Sequence, residues 1–327
     1  MKSFDELLPE LLQAVRPIEE RRLETVRSKS VGLKWISGII VGTVLASLAG
    51  VAAFGSAIPA IVLGISGLLA SGVVYAHWLS KPFEIYRSQF KHEFIGRLLN
   101  SIADDVRYAP EGNAIVMEEY RRSELYPRRV DRETIRDTIA CRVGKTDLVI
   151  SELHTEYKST STDKDGKRKV TWHTIFRGLF ISADFHKDFR GATFVRSDVA
   201  EKAFGIVGRF FQKPIFSTNE LVLLEDPDFE REFVVHSSDQ VEARYILSTS
   251  LMQKMWELKQ RFSDRVEFSF LQSRMFIAIS GNRDYFEPTL SRSLLDTEYL
   301  KEFLGQAQLC LGIVEDLGLN VRIWTKQ

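Results

Sequence analysis

The sequence predicts an α+β protein in which an N-terminal two-helix transmembrane hairpin is followed by a cytoplasmic mixed domain with a largely antiparallel sheet. Three observations lead to this prediction. An uncharged apolar run covers residues 35–80, apolar residues alternate with a period of two from residue 137, and helical periods return between the later strands. Strands that come first, with helices interspersed afterwards, favour an α+β fold over a doubly wound parallel sheet.

The first 34 residues predict an amphipathic helix. Apolar residues recur at helical spacing from Leu7 to Leu23, with Pro9 and Pro17 as expected interruptions. Acidic and basic residues nearly cancel in this segment, so its electrostatic attraction to anionic lipid is weak. We therefore expect it to dock on the cytoplasmic domain rather than lie on the bilayer surface.

Residues 35–80 contain no Asp, Glu, Lys or Arg. A helix needs about 20 apolar residues to cross a bilayer, so this longer run predicts two spans, 35–54 and 58–79, with a turn near Gly55 and Pro59. Basic residues flank both spans while the turn is uncharged, which places both termini in the cytoplasm. The absence of charge within the spans disfavours an ion or proton pathway.

Small residues form a row along the first span: Gly38, Gly42, Ala46 and Gly50 follow one another at every fourth position. Residues of this size allow two helices to approach closely in lipid. Two uses remain open at this stage. The row packs the two spans of the hairpin together, or it forms an interface between copies in a homo-oligomer.

After the membrane run the chain predicts a juxtamembrane helix and connector over 81–136, with the helix from Phe83 to Val106, and then the α+β domain over 137–327. The Asp165-Gly166 pair predicts a hairpin turn. The remaining predicted elements are a helix over 198–211, the strands "LVLLE" and "REFVVHS", two helices within 241–262, the hairpin "VEFSFLQSRMFIAIS", a helix near 297–317 and a last strand "VRIW".

Composition narrows the possible functions. The 44 basic and 44 acidic residues balance, so no overall field favours nucleic acid as a partner. Cys141 and Cys310 lie far apart without metal-type spacing, which suits buried apolar thiols in a reducing compartment. The chain lacks a phosphate-binding glycine loop, a dinucleotide-binding glycine pattern, a nucleophile elbow and a helical His pair. No cofactor is predicted, and enzymatic activity is disfavoured.

One metal site is conceivable on the predicted sheet. His154 and Glu156 lie two apart on a strand and therefore share a face, and His173 is expected across the hairpin from them. Such a set could bind zinc. The alternative is that these side chains simply form the polar face of a half-exposed sheet.

The stretch "VHSSDQVEARYILSTS" concentrates polar residues between predicted strands and helices. Asp239 with Glu242, and Ser250 with Gln253, have the spacing of capping boxes at two helix starts. Arg244 stands among apolar residues inside the first of these helices. We expect it to be partly buried and to need either a carboxylate from "LEDPDFERE" or an anionic ligand.

The chain resembles the bacterial family of domains of unknown function called DUF3137. The resemblance rests on "FRGLFISADFHKDFRGATFV" (176–195), "LVLLEDPDFEREFVVHSSDQVEARYILS" (221–248) and "FSFLQSRMFIAIS" followed by "YFEPTL", and it includes the two-span hairpin. It implies a multi-pass protein of the bacterial inner membrane that carries a cytoplasmic module without an assigned activity.

Three functions are then expected, in order of preference. The first is a membrane-anchored scaffold or regulator that binds an unidentified protein partner beside the lipid bilayer. The second is an oligomeric membrane effector whose soluble domain senses an anionic ligand at Arg244. The third is a metal-dependent hydrolase that uses His154, Glu156 and His173.

Overall fold

The computed structural model describes residues 4–162, 166–185, 190–197, 219–262 and 265–317. The chain forms two compact units: the first is Met1–Ser101 with Phe286–Gly305, and the second is Ile102–Tyr285 with Gln306–Gln327. Helices build the first unit and one large antiparallel sheet with helices builds the second. The predicted α+β class is therefore confirmed.

Long helices dominate the first unit. Two π-helical segments, Ala76–Ser80 and Phe90–Ile95, interrupt the second long helix, which otherwise continues from Ile58 to Ile102. The α-helical elements are α1 (Phe4–Phe54), α2 (Ile58–Tyr75), α3 (Lys81–Gln89) and α4 (Gly96–Ile102).

Two of these helices are long and apolar enough to cross a membrane: Glu6–Phe54 and Ile58–Ile102. Almost none of the residues in their apolar windows are buried within the protein. Leu48 and Leu68, for example, are 65% and 75% exposed. A continuous apolar surface of this extent fits a lipid environment better than water.

The two helices of the hairpin pack through a row on α1 that differs from the predicted one. Its half-buried positions recur every three or four residues, and Thr43 of this row lies against Gly67 of α2. Of the predicted row, Gly50 faces Pro59, but nothing lies within 4 Å of the Cβ position at Gly38 or Gly42. Gly38, Gly42 and Ala46 are exposed. The oligomer interface stays a prediction, whereas these three residues do not pack the hairpin.

The contrast between Gly67 and Gly42 yields a prediction. A methyl group at Gly67 overlaps the Thr43 side chain, so Gly67→Ala should destabilise the helix pair by about 1–3 kcal/mol. Gly42→Ala adds the same methyl group in open space and serves as the matched control. Helix loss during titration with a denaturing detergent, followed by circular dichroism, measures both effects. Equal effects of the two substitutions would contradict this packing.

The N-terminal part of α1 buries its apolar face inside the first unit, as expected of a docked helix. Leu11, Val15 and Ile18 are at most 2% exposed. The predicted interruptions are wrong, because α1 continues through Pro9 and Pro17. Each interior proline costs a helix about 3 kcal/mol, and burial of this apolar face offsets that cost.

Ion pairs hold the segment Phe286–Gly305 within the first unit. The Glu287 carboxylate accepts hydrogen bonds from Arg87 and Lys91, both at 2.7 Å. The Lys91 side chain is only 3% exposed, and this pair supplies a counter-charge to it. Nearby, the Glu19 carboxylate accepts from the Leu294 amide at 2.9 Å. Buried charges of this kind are stable only when they are paired.

Removing the Glu287 carboxylate beside Lys91 should destabilise the folded protein. Burial disfavours the charged form of Glu287, but the hydrogen bonds from Arg87 and Lys91 outweigh it and hold the pKa of the carboxyl below its ordinary 4.5. Glu287→Gln should therefore lower the free energy of unfolding by about 3 kcal/mol at neutral pH, because it removes a counter-charge from the buried Lys91.

The same pair predicts a pH dependence. A depressed carboxyl pKa stabilises the folded state above pH 4.5, and this contribution disappears as the pH falls through the folded-state pKa. Denaturation of the full chain at pH 7 and at pH 3 should show the deficit of Glu287→Gln shrinking in acid. Glu298→Gln, which breaks the exposed pair with Lys301, is the control and should cost under about 1 kcal/mol.

The second unit is built on a sheet that has nine strands within the described residues, in the order β1-β2-β3-β4-β9-β8-β5-β7-β6. The strands are β1 (Asp104–Ala109), β2 (Arg132–Val143), β3 (Thr146–Thr162), β4 (Arg168–Asp184), β5 (Thr193–Ser197), β6 (Glu220–Leu221), β7 (Phe233–Ser237), β8 (Val266–Leu271) and β9 (Arg274–Ser280). Its helices, with the last one shared with the first unit, are α5 (Ile115–Arg122), α6 (Pro227–Glu232), α7 (Gln240–Ile246), α8 (Thr249–Phe262) and α9 (Thr297–Asp316).

Helix α5 covers one face of this sheet. Val116 and Tyr120 of α5 share a hydrophobic cluster with Leu153, Phe176 and Phe276 from three strands. Because side chains alternate along a strand, the neighbours of these core residues point to the opposite face. This alternation determines which polar side chains lie on the same face of the sheet and can contact one another.

Several predicted boundaries need correction or lie outside the described residues. The helix predicted to reach Val106 ends at Ile102, because Asp104 starts a strand that pairs with β2. Gly166 has a φ of +76°, as a turn glycine should. The predicted helix over 198–211, the strand "VRIW" and Asp165 lie outside the described residues.

Both cysteines are free and buried, as their sequence context predicts. Burial raises the pKa of the Cys141 and Cys310 thiols to about 12. Neither thiol is therefore ionised at neutral pH, and both behave as small apolar side chains.

Candidate functional site

The face of the sheet opposite α5 carries a group of charged side chains on three adjacent strands. Arg136 of β2 pairs in register with Glu152 of β3, and His154 of β3 pairs with Arg177 of β4. Their neighbour Leu153 belongs to the core cluster, so these four side chains share the opposite face. Cross-strand neighbours on one face have Cβ atoms about 5 Å apart.

The pairing of β3 with β4 shifts in register just beyond His154. The shift falls between Thr155 and Glu156, and beyond it Tyr157 pairs with His173. The His173 ring stacks on Tyr157 at 4.8 Å, and its Nε2 lies 2.8 Å from Ser159 Oγ. His173 therefore lies on the core side of the strand pair, away from His154.

The predicted zinc ligands are not brought together. His154 and Glu156 do share a face, with Nε2 and Oε1 4.0 Å apart, but His154 Nε2 lies closer to Thr174 Oγ1, at 3.1 Å. Glu156 is already paired with Arg132 at 2.6 Å. Among the described residues, no group of three or more His, Cys, Asp or Glu side chains could hold a metal.

The charged face forms one wall of a cleft of about 230 Å³, which we call the arginine cleft. Residues from β2, β3 and β4 and from the chain that follows β9 line it. They are Thr134, Arg136, Glu152, Leu153, His154, Arg177, Gly178, Gly281, Arg283 and Asp284.

Glycine shapes the floor of the arginine cleft. Gly178 has a φ of +149°, and a Cβ atom there would collide with the Ile279 carbonyl of β9. The Gly281 amide donates to the Arg177 carbonyl at 3.0 Å, which holds the chain that follows β9 against β4. The close approach of β4 and β9 therefore requires glycine at position 178.

Positive charge in the arginine cleft exceeds what its acids neutralise. The Glu152 carboxylate accepts a hydrogen bond from the Tyr285 amide, and Asp284 lies 3.9 Å from Arg177 with both side chains about half exposed. Within the described residues, the Arg136 guanidinium has no hydrogen bond and no ion pair. A guanidinium group presents planar donors that match carboxylate and phosphate oxygens.

The protonation of His154 reports on this environment. Burial lowers the pKa of its imidazole below the ordinary 6.5; the Glu156 carboxylate opposes this, and the guanidinium groups of Arg177, Arg132 and Arg136 add to it. His154 is therefore neutral at pH 7. In this state one ring nitrogen donates and the other accepts a hydrogen bond. The ring can therefore form a hydrogen bond on the wall of the cleft but adds no positive charge there.

Substitutions should move this pKa in opposite directions. Arg177→Gln should raise the pKa of His154 toward 6.5, and Glu156→Gln should lower it further. Titration of the histidine Cε1 proton by NMR measures both shifts, with His154→Gln identifying the signal. A His154 pKa above 6.5 in the unaltered chain would contradict the conclusion that burial and the nearby guanidinium groups lower it.

The depressed pKa also sets the sign of a stability change. As the pH falls, the unfolded chain takes up a proton at about 6.5, before the folded protein does. The folded protein should thus lose stability between pH 6.5 and the folded-state pKa of His154. His154→Gln should remove this part of the pH dependence.

Arg244 occupies a different setting from the one predicted. It lies on the exposed side of α7 and is not partly buried. Its guanidinium donates to the carbonyl oxygens of Gln240 and Leu223 at 3.2 and 3.3 Å. Within the described chain it forms no ion pair with a carboxylate, so the expected partner from "LEDPDFERE" is wrong.

The predicted caps are correct in part. Asp239 Oδ1 accepts from the Val241 and Glu242 amides at 2.9 and 3.0 Å, which confirms the first cap. Glu242 does not reach back to complete the box, because its carboxylate binds the amides of Arg190 and Gly191. At the second helix the cap is Ser248, whose Oγ accepts from Leu251, and not Ser250.

Sequence reasoning found only part of the arginine cleft. It singled out His154 through its period-two spacing with Glu156, and the same spacing joins Thr134 to Arg136. The predicted hairpin at Asp165-Gly166 joins β3 to β4, but it does not fix Arg177 opposite His154 or bring Arg283 beside them, because these contacts depend on register and strand order.

Comparisons with known proteins test the family resemblance predicted from the sequence. A family model described as "Protein of unknown function (DUF3137)" matches residues 174–319. No curated protein matches the chain. Among solved structures, the chain is similar to the crystal structure of the mycobacterial trehalose monomycolate transport factor A, TtfA. The identity is 9%, the match covers 70% of this chain and 94% of that chain, and the TM-score is 0.35.

The family match begins on β4, includes Arg177, Gly178, Gly281, Arg283 and Asp284 of the cleft, and ends after α9. The family predicted from the quoted segments is thereby confirmed. Residues 174–319 of this chain thus match the DUF3137 family of proteins of unknown function.

Proposed function

We propose that this chain is a membrane-anchored regulatory protein whose second unit binds a small anionic ligand in the arginine cleft. One observation carries the proposal: arginines from three separate elements line a single cleft, and one of them, Arg136, has no protein partner within the described residues. Like charges that line one cleft repel one another, so an anion bound between them stabilises the arrangement.

The size and chemistry of the cleft define the ligand class. A volume of about 230 Å³ lies below the roughly 300–1,000 Å³ of pockets for drug-sized ligands, so it suits a group of few atoms. The guanidinium groups of Arg136 and Arg177 favour a phosphate or carboxylate group. His154 supplies one further hydrogen bond on the same wall.

The proposal moves the anion site predicted at Arg244 to a different part of the chain. A protein partner, the first function predicted from the sequence, and a homo-oligomer both stay predictions. The metal-dependent hydrolase is not proposed, because His173 lies apart from His154 and Glu156.

We also propose a location in the bacterial inner membrane, with the hairpin as a multi-pass anchor and both termini in the cytoplasm. Two apolar helices of sufficient length support the anchor. The basic residues on both outer flanks and the uncharged turn support the orientation.

Binding of an anion tests the proposed function directly. We expect the full chain in neutral-lipid nanodiscs to bind inorganic phosphate, measured by titration calorimetry in a phosphate-free buffer. Arg136→Gln should weaken binding about tenfold or more, since a hydrogen bond to a charged group contributes about 1.5–3 kcal/mol. High salt should weaken binding as well.

Two arginines outside the cleft serve as controls. Arg244→Gln alters the site predicted from the sequence, and Arg129→Gln removes a side chain that is 92% exposed. Both variants should bind phosphate like the unaltered chain. Absence of binding to phosphate and to acetate at millimolar concentrations, or equal losses in all three variants, would reject the arginine cleft as an anion site.

A further inference from the structure

A two-stranded ribbon extends beyond the sheet of the second unit. It consists of the ends of β3 and β4, residues 157–162 and 168–173, and is called the ribbon below. Pairing of β2 with β3 ends at Glu156, and pairing of β9 with β4 begins only at Gly178. Within the described residues the two strands of the ribbon therefore pair only with each other, over about 20 Å.

One face of the ribbon exposes apolar side chains. Val170 and Trp172 are 51% and 39% exposed, and they share a face because they lie two apart on β4. Lys158 pairs in register with Trp172 and lies on the same face. The Arg132 guanidinium lies 4.2 Å from the centroid of the Trp172 ring and fixes the ring beside positive charge.

The ribbon is basic. Within the described residues, the side chains of Lys158, Arg168 and Lys169 have no hydrogen bond or ion pair, and the described ribbon residues include no Asp or Glu. Over residues 157–173 the sequence holds five Lys or Arg against two Asp. The ribbon thus combines net positive charge with an exposed aromatic ring, although the chain as a whole is neutral.

We infer that the ribbon binds the surface of an anionic phospholipid bilayer. Tryptophan favours the boundary between lipid and water, and each Lys or Arg near an anionic surface contributes about 1 kcal/mol. The bilayer is the partner that the chain itself provides, because the two apolar helices tether the ribbon to it. This inference rests on the membrane anchoring proposed above and is independent of the arginine cleft.

Proteolysis of the full chain tests the inference. The chain is reconstituted in nanodiscs of phosphatidylcholine, with or without phosphatidylglycerol, and trypsin cleavage after Lys167, Arg168 and Lys169 is followed by mass spectrometry. We expect cleavage in the ribbon to slow by about tenfold in anionic nanodiscs, the change that about 1.4 kcal/mol of surface attraction produces. High salt should restore the faster cleavage.

Variants of the ribbon keep the three cleavage sites. The double substitution Lys158→Gln with Val170→Ser removes one charge and one apolar group, and should lose most of the protection by anionic lipid. An unchanged rate in neutral nanodiscs shows that its ribbon is still folded. Arg129→Gln, which removes a charge outside the ribbon, is the matched control and should retain full protection.

The outcomes separate the inference from the anchoring on which it rests. A chain that stays with the nanodiscs but is cleaved equally fast in both lipids overturns the ribbon contact alone. A chain that does not associate with either nanodisc overturns the anchoring. Protection by added RNA in neutral nanodiscs, without protection by anionic lipid, would assign the ribbon to nucleic acid instead.

Discussion

Pairing of β3 with β4 is the constraint on which the second unit depends. These are the two longest strands of its sheet, and their register directs alternate side chains to opposite faces. Leu153 and Phe176 enter the core under α5, while His154 and Arg177 face the arginine cleft. A slip of one residue would exchange the two sets, placing charges in the core and leucine in water. Burial of the core therefore fixes the position of the charges.

The same strand pair gives three surfaces with different chemistry. Near its middle it supplies the core and the arginine cleft, and beyond the register shift at Glu156 it becomes the ribbon. The shift is what separates the two histidines, because it moves His173 to the core side. In the first unit, buried ion pairs at Glu287 play the corresponding role by holding Phe286–Gly305 between helices. In both units, packing determines where the charges lie.

Arg244 and Arg136 show why the exposure and surroundings of a single residue are hard to predict from sequence. Arg244 has apolar neighbours along the chain, which suggested burial, but Val241 and Tyr245 beside it are themselves exposed. Arg136 has no distinctive sequence context, yet it lies in a cleft with two other arginines. Exposure depends on which side of α7 or β2 meets the rest of the unit. The local sequence pattern indicates that an element is amphipathic. Packing against the rest of the unit determines which side of that element is buried.

The two apolar helices, the alternating strands and the cap at Asp239 could be predicted from the sequence, because each depends on side chains close together along the chain. Two features needed the folded structure: Gly67, and not Gly42, contacts the opposite helix of the hairpin, and α1 continues through Pro9 and Pro17. Arg136, Arg177 and Arg283 come from distant parts of the chain and meet only in the folded protein. Strand order, register and helix rotation are set by burial between distant segments, which no local pattern encodes.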